Sequence, residues 1–286
     1  SMLLLHGSDD KLPILQLIYQ ISNKFEIASL LSPLFESLLI VAKNMTFDEK
    51  KLLFQILKRL CFTDKKYFQY LYNDDNVNNL YKNVCNQNEI VKPAFKFLVA
   101  ISDFERGYAN PVSLFNRMNI SNSVIEAIKT RNNKIIHYIV ISFSDAVQSA
   151  NDVDYFLENE YLRYLLSLSS YVSFQTWEEI VIFVCYLIYY SSSIEQVEFL
   201  VKHYNALNHI AKICETVEVN NKVLCDAIKS ALQVLFGLAE NLYTTQGIKI
   251  FTQEMREMLT ESAQFEEDDD IHFLTDFIQK IDALYK

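Results

Sequence analysis

The 286 residues include only 4 Gly and 4 Pro, 50% are apolar and 22% are charged, a balance that supplies a large core and excludes both a disordered chain and the turn-rich all-β folds. With 26 Lys and Arg against 36 Asp and Glu, net −10, the chain repels phosphate backbones and anionic membranes. Nucleic acid and membrane surfaces are therefore excluded as partners, and a basic or neutral protein segment is favoured. Apolar residues recur with helical spacing almost throughout, and no strand is expected. The pattern predicts helices over 11–22, 26–43 and 47–61, the last opened by Thr46 and Glu49 at capping-box spacing. Helices over 64–73, 76–86 and 89–103 follow, then 111–118 with Asn110 as N-cap before Pro111, then 122–130 and 132–149. The second half reads as 152–158, 160–170, 175–190, 194–203, 205–215, 219–239, 247–260 and 270–285.

The longer helices beginning near 47, 89, 132, 175 and 219 lie about 43 residues apart, with two shorter helices between successive long ones. Internal similarity follows the same interval: Val153, Phe156 and Leu157 return as Val197, Leu200 and Val201, and Leu162, Leu165 and Leu168 return as Leu207, Ile210 and Ile213. A three-helix unit of this length predicts an all-α, right-handed α-solenoid of armadillo/HEAT-like repeats, in which the third helices line a concave surface. The rival is an irregular helical bundle. No Pro/Gly/Ser-rich linker interrupts the chain, so residues 1–286 are expected to form a single solenoid, with 241–286 as an atypical C-terminal capping repeat.

Chemistry-bearing patterns are sparse. Gly7, Gly107, Gly237 and Gly247 are isolated, so no phosphate-cradling loop is formed, and no nucleophile elbow or H-E-x-x-H helix occurs. His203 and His209 are six residues apart, whereas two histidines on one helix face that share a metal need a spacing of three or four. No metal, cofactor or catalytic residue is expected, although a helical enzyme with an unrecognised site stays open. Cys61, Cys85, Cys185, Cys214 and Cys225 form no C-x-x-C pair and sit mostly in apolar patterns, which predicts buried thiols and a reducing, intracellular setting in cytoplasm or nucleus. The longest apolar run, Ile180 to Tyr190, has 11 residues, well short of the roughly 20 a membrane helix needs. The run Glu266-Glu267-Asp268-Asp269-Asp270 reads as a solvated loop, with docking of a basic partner as the alternative. Trp177, beside Glu178 and Glu179, reads either as a ring packed between repeats or as a surface that holds a lysine or arginine by stacking and charge.

From Trp177 onward the order of features resembles the C-terminal half of importin-α, an armadillo-repeat adaptor that binds nuclear localisation signals. Ser191-Ser192-Ser193-Ile194-Glu195-Gln196 stands where that family has a small-residue turn and a Glu-Gln-hydrophobic segment, and Lys222 to Glu240 resembles the next third helix. The resemblance implies a non-enzymatic adaptor that binds an extended basic cargo segment, with nuclear transport factors among its partners. In that family Trp and Asn one turn apart on each third helix grip the peptide. Counting from Glu195-Gln196 puts those positions at Phe183 and Leu187; one repeat earlier they are Val140 and Ser144, and in the next repeat the Asn position is Val234. The Trp/Asn ladder is absent there, so the expected groove is a degenerate one around Ser144, Trp177, Glu179, Phe183 and Leu187. The alternative implied by the missing ladder is an armadillo/HEAT scaffold that assembles another intracellular complex without binding nuclear signals.

Overall fold

A computed structural model describes residues 11–22, 31–63, 67, 70–71, 75–81, 88–104, 111–215, 221–264 and 272–286. They divide into two compact units, Ser1–Ala146 and Val147–Lys286. In the first unit the α-helices are α1 (Leu12–Ile21), α2 (Ser32–Val41), α3 (Phe47–Thr63), α4 (Asn88–Phe104), α5 (Pro111–Met118), α6 (Ser121–Lys129) and α7 (Asn133–Ala146). The second contains α8 (Ala150–Glu158), α9 (Tyr161–Leu166), α10 (Phe174–Tyr190), α11 (Ile194–Glu198) continuing into a π-helical turn at Phe199–His203, α12 (Ala206–Cys214), α13 (Lys222–Gln246), α14 (Gln253–Ala263) and α15 (Phe273–Leu284). No strand occurs among the described residues.

Each unit is built around a row of long helices. In the first, α3 packs on α4 and α4 on α7. Phe54 of α3 meets Tyr81 and Phe97 at ring-centroid distances of 5.4 and 5.9 Å. The buried Tyr81 hydroxyl donates to the Ala94 carbonyl at 2.8 Å, which meets the requirement that a buried polar group be paired. Glu49 is also buried, and its carboxylate accepts from the Thr46 and Lys11 backbone N–H groups, each at 2.7 Å. The expected contact from Glu49 back to Thr46 is thus formed, and the same carboxylate ties the start of α1 to α3.

In the second unit α10 packs on α13 and α13 on α15. The repeat is visible in its caps. Ser193 and Gln196 form a reciprocal capping box, and 44 residues before Gln196 the Asp152 carboxylate accepts from the Ser149 hydroxyl at 2.8 Å and the Gln148 N–H at 3.0 Å. Gln196 also donates to the Ala150 carbonyl at 3.0 Å and to Asp154 Oδ1 at 2.6 Å, so the cap of α11 is fastened to α8 of the preceding repeat. The joints between the first two helices of successive repeats share a second mark: Asn119, Glu160 and Asn205 have φ of 50°, 55° and 52°. Asparagine tolerates this left-handed backbone well and glutamate poorly, so only part of the signal is compositional.

Several expected boundaries shift. The helix predicted over 132–149 ends at Ala146, because the Asp152 carboxylate captures the Gln148 N–H and Ser149 and starts the next helix. The one predicted over 160–170 stops at Leu166 and continues as turns. The helix predicted over 219–239 runs on to Gln246, where Gly247 at φ 70° accepts the left-handed C-terminal cap. The following helix consequently starts at Gln253, not 247, with the Thr252 hydroxyl accepting from the Met255 N–H at 3.2 Å. Residues 23–30, most of 64–73 and residues 82–86 of the expected 76–86 helix lie outside the described set. Asn110, Cys85 and the acidic run at 266–270 do also.

Candidate functional site

Ser144 lies in the first unit, on α7; the other four expected groove residues lie in the second, on α10. Ser144 is buried, and its hydroxyl has no hydrogen-bond partner among the described residues. Phe183 and Leu187 are completely buried, with the Phe183 ring edge-on to Phe156 of α8 at 5.1 Å. These two residues are core, which corrects the expectation of an open groove at their positions. The reason is the composition of α10: Ile180 through Cys185 are all buried, so residues on every face of this stretch lie against neighbours.

Trp177 is likewise buried, and its indole meets the His209 imidazole of α12 in an edge-on contact at 5.2 Å. Of its two readings, the ring packed between helices is the one present. Burial, with the Lys212 ammonium as a second cause, holds the His209 imidazole down at about 4, so the ring is neutral near pH 7. Beside the tryptophan, Glu178 accepts from the Asn221 side-chain amide at 2.9 Å, joining α10 to the N-cap of α13. Glu179 is half-buried. Trp177, Phe183 and Leu187 are therefore helix-packing residues, while Glu179 keeps partial exposure.

An open surface appears one repeat further on. A cleft of about 250 Å³ runs between α13 and α15. Lys229, Leu232, Gln233 and Phe236 line it from α13, and Phe273, Asp276, Phe277 and Lys280 from α15. Each set has the i, i+3, i+4, i+7 spacing of a single helix face, so two stripes confront one another. Leu232, Phe273 and Phe277 form a buried floor and Phe236 is half-buried, while Lys229, Gln233, Asp276 and Lys280 stand exposed at its edges. The Lys229 ammonium lies 5.0 Å from the Phe273 ring centroid. Sequence reasoning missed this site although the spacing was visible in each helix. Only the pairing of two stripes 44 positions apart makes a cleft of them.

A second, wider depression between α14 and α15, about 520 Å³, carries Glu257, Glu261 and Asp282, with Arg256 bonded to Asp282 at 2.8 Å. Among the described residues no group of three His, Cys, Asp or Glu side chains is placed to hold a metal, and no helix is long and apolar enough to cross a membrane. Cys61, Cys185, Cys214 and Cys225 are buried thiols, and desolvation pushes Cys185 far above the ordinary thiol range.

No family model and no curated protein matches the sequence. Among solved structures, the chain is similar to a designed armadillo repeat protein, YIII(Dq)4CqI, at 17% identity and a TM-score of 0.64, over 82% of this chain and 98% of that one. A second designed armadillo repeat protein, YIII(Dq.V1)4CPAF in complex with peptide (KR)4, matches at 14% identity and a TM-score of 0.61, over 88% and 99% of the two chains. Computationally designed armadillo repeat proteins for modular peptide recognition match at 14% identity and a TM-score of 0.63, over 88% and 100%. Together with the helical repeat, these likenesses show the fold: an all-α solenoid of armadillo-like repeats.

Proposed function

We propose that this chain is a non-enzymatic, intracellular protein-binding scaffold whose long repeat helices present side chains to a segment of a partner protein. The observation that carries the reading is the open cleft between α13 and α15, two helices of an armadillo-like fold, with an apolar floor and charged edges. The designed neighbours support it, since one is in complex with a (KR)4 peptide and another serves modular peptide recognition. The cleft is smaller than the roughly 300–1,000 Å³ of a typical small-molecule pocket, which suits side chains of a polypeptide better than a cofactor.

Between the two adaptor classes, assembly of an intracellular complex is favoured over import of basic cargo. Phe183 and Leu187 stand at the aligned grip positions, are buried, and offer no amide to a peptide backbone. Selecting displayed peptides against the native protein tests the scaffold reading. Enrichment of short segments that compete for one surface is expected; failure to enrich any peptide, with the protein folded, contradicts it. Titrating a labelled basic localisation peptide at two ionic strengths tests the import reading. Weak binding that falls with salt is expected, whereas tight, salt-insensitive binding restores the import receptor.

A further inference from the structure

We infer that the cleft between α13 and α15 takes an acidic, apolar peptide segment, one in which carboxylates alternate with large aliphatic or aromatic side chains. The inference rests on the scaffold reading and names the partner chemistry of that site. The net charge of the chain, −10, points to basic partners, but this cleft reverses the sign locally. Its edges carry two ammoniums, Lys229 and Lys280, against one carboxylate, Asp276. Neither lysine takes part in an ion pair among the described residues. Lys229 is moreover held above the Phe273 ring at 5.0 Å, which positions its charge at the rim of the apolar floor.

The floor supplies the second half of the recognition. Phe277 is braced from behind by Phe251, the rings edge-on at 5.3 Å, and Leu232 is almost fully buried. Phe236 is half-buried and faces the same space. A ligand side chain laid on this floor gains apolar burial, and carboxylates on either side of it reach the lysines at the two ends. A basic segment of the same shape meets like charge at both ends and has only Asp276 to pair with, a mismatch that selects against it.

The test uses the native protein and three fluorescein-labelled peptides: alternating Asp and Leu, alternating Lys and Leu, and alternating Asp and Ser, read by fluorescence anisotropy. The Asp/Leu peptide is expected to bind about ten-fold or more tighter than either of the others at low salt, and to weaken as salt rises. The double change Lys229→Glu and Lys280→Glu, both at exposed positions, is expected to lower that affinity about ten-fold or more, while Asp276→Asn raises it about two- to five-fold. Circular dichroism melts establish that the variants stay folded. Equal binding of the Asp/Leu and Lys/Leu peptides, or an affinity unmoved by both charge changes, overturns the proposal. If none of the three peptides binds but display selection still yields binders, the cleft assignment fails and the scaffold reading stands. If selection also yields none, both fail.

Discussion

Helices α10 and α13 occupy equivalent places in consecutive repeats of the second unit, yet the middle of α10 is sealed, although Phe174 and Tyr189 near its ends are exposed, and α13 is partly open. Along α10 the buried positions run without a break from Ile180 to Cys185 and resume at Leu187 and Ile188. Along α13 they recur as Leu224, Cys225, Ala227, Ile228, Ala231, Leu232 and Leu235, leaving a polar face with Lys229 and Gln233 at the cleft. The difference teaches that repeat position alone does not define a binding surface. A helix whose apolar residues surround it becomes packing, whereas one with a narrower apolar stripe keeps a free face.

The contrast breaks most easily at Phe183. Phe183→Ala is expected to destabilise the protein by about 3–5 kcal/mol, the cost of a cavity at a fully buried aromatic, measured by urea unfolding. A loss below about 1 kcal/mol would place the ring at a surface and revive the groove there. Gln196→Ala removes the reciprocal cap of α11 and the bonds to Ala150 and Asp154, and about 1–2 kcal/mol should be lost. An unchanged melting temperature would show that the link between repeats carries little of the stability.

The fold was legible in the sequence because helical periodicity and a roughly 43-residue interval are local signals that survive divergence. The Ser193–Gln196 cap and the Val153/Val197 series report the repeat directly. Boundaries were legible where a cap stood alone and misplaced where two signals competed. Gly247 reads as the opening of a new helix, yet its left-handed backbone closes α13 at Gln246, well past the expected end at Ala239. The binding face was not legible. Whether Phe183 is core and Phe236 half-exposed depends on which helices cover them, and the pairing of Lys229 with Phe273 is a property of the folded chain.

Two smaller effects sharpen the comparison. His209 packs against Trp177 and its pKa lies at about 4, below the ordinary 6.5, so the unfolded chain binds the proton more readily than the folded one. Its contribution to stability is present above about pH 6.5 and lost as the pH falls toward 4. After discounting for partial solvent screening, about 1 kcal/mol should disappear between about pH 7 and pH 5, and His209→Gln should flatten that slope in denaturant titrations. A slope unaltered by the substitution would remove His209 from the sealed side of the comparison. At the far end of α13, Gly247→Ala should cost about 1 kcal/mol, because φ of 70° is unfavourable for a residue with Cβ although nothing lies within 4 Å of it. A neutral or stabilising change in the melting temperature would show that the end of α13 adjusts freely.

Hydroxyl-radical footprinting of the native protein, with and without the Asp/Leu peptide, tests most directly that α10 is packing and the α13–α15 cleft is the binding surface. Phe236 is expected to be oxidised in the unbound protein and protected by the peptide, while Phe183 stays unreactive in both states. Oxidation of Phe183 in the unbound protein, and its protection by peptide with Phe236 unchanged, would contradict that assignment.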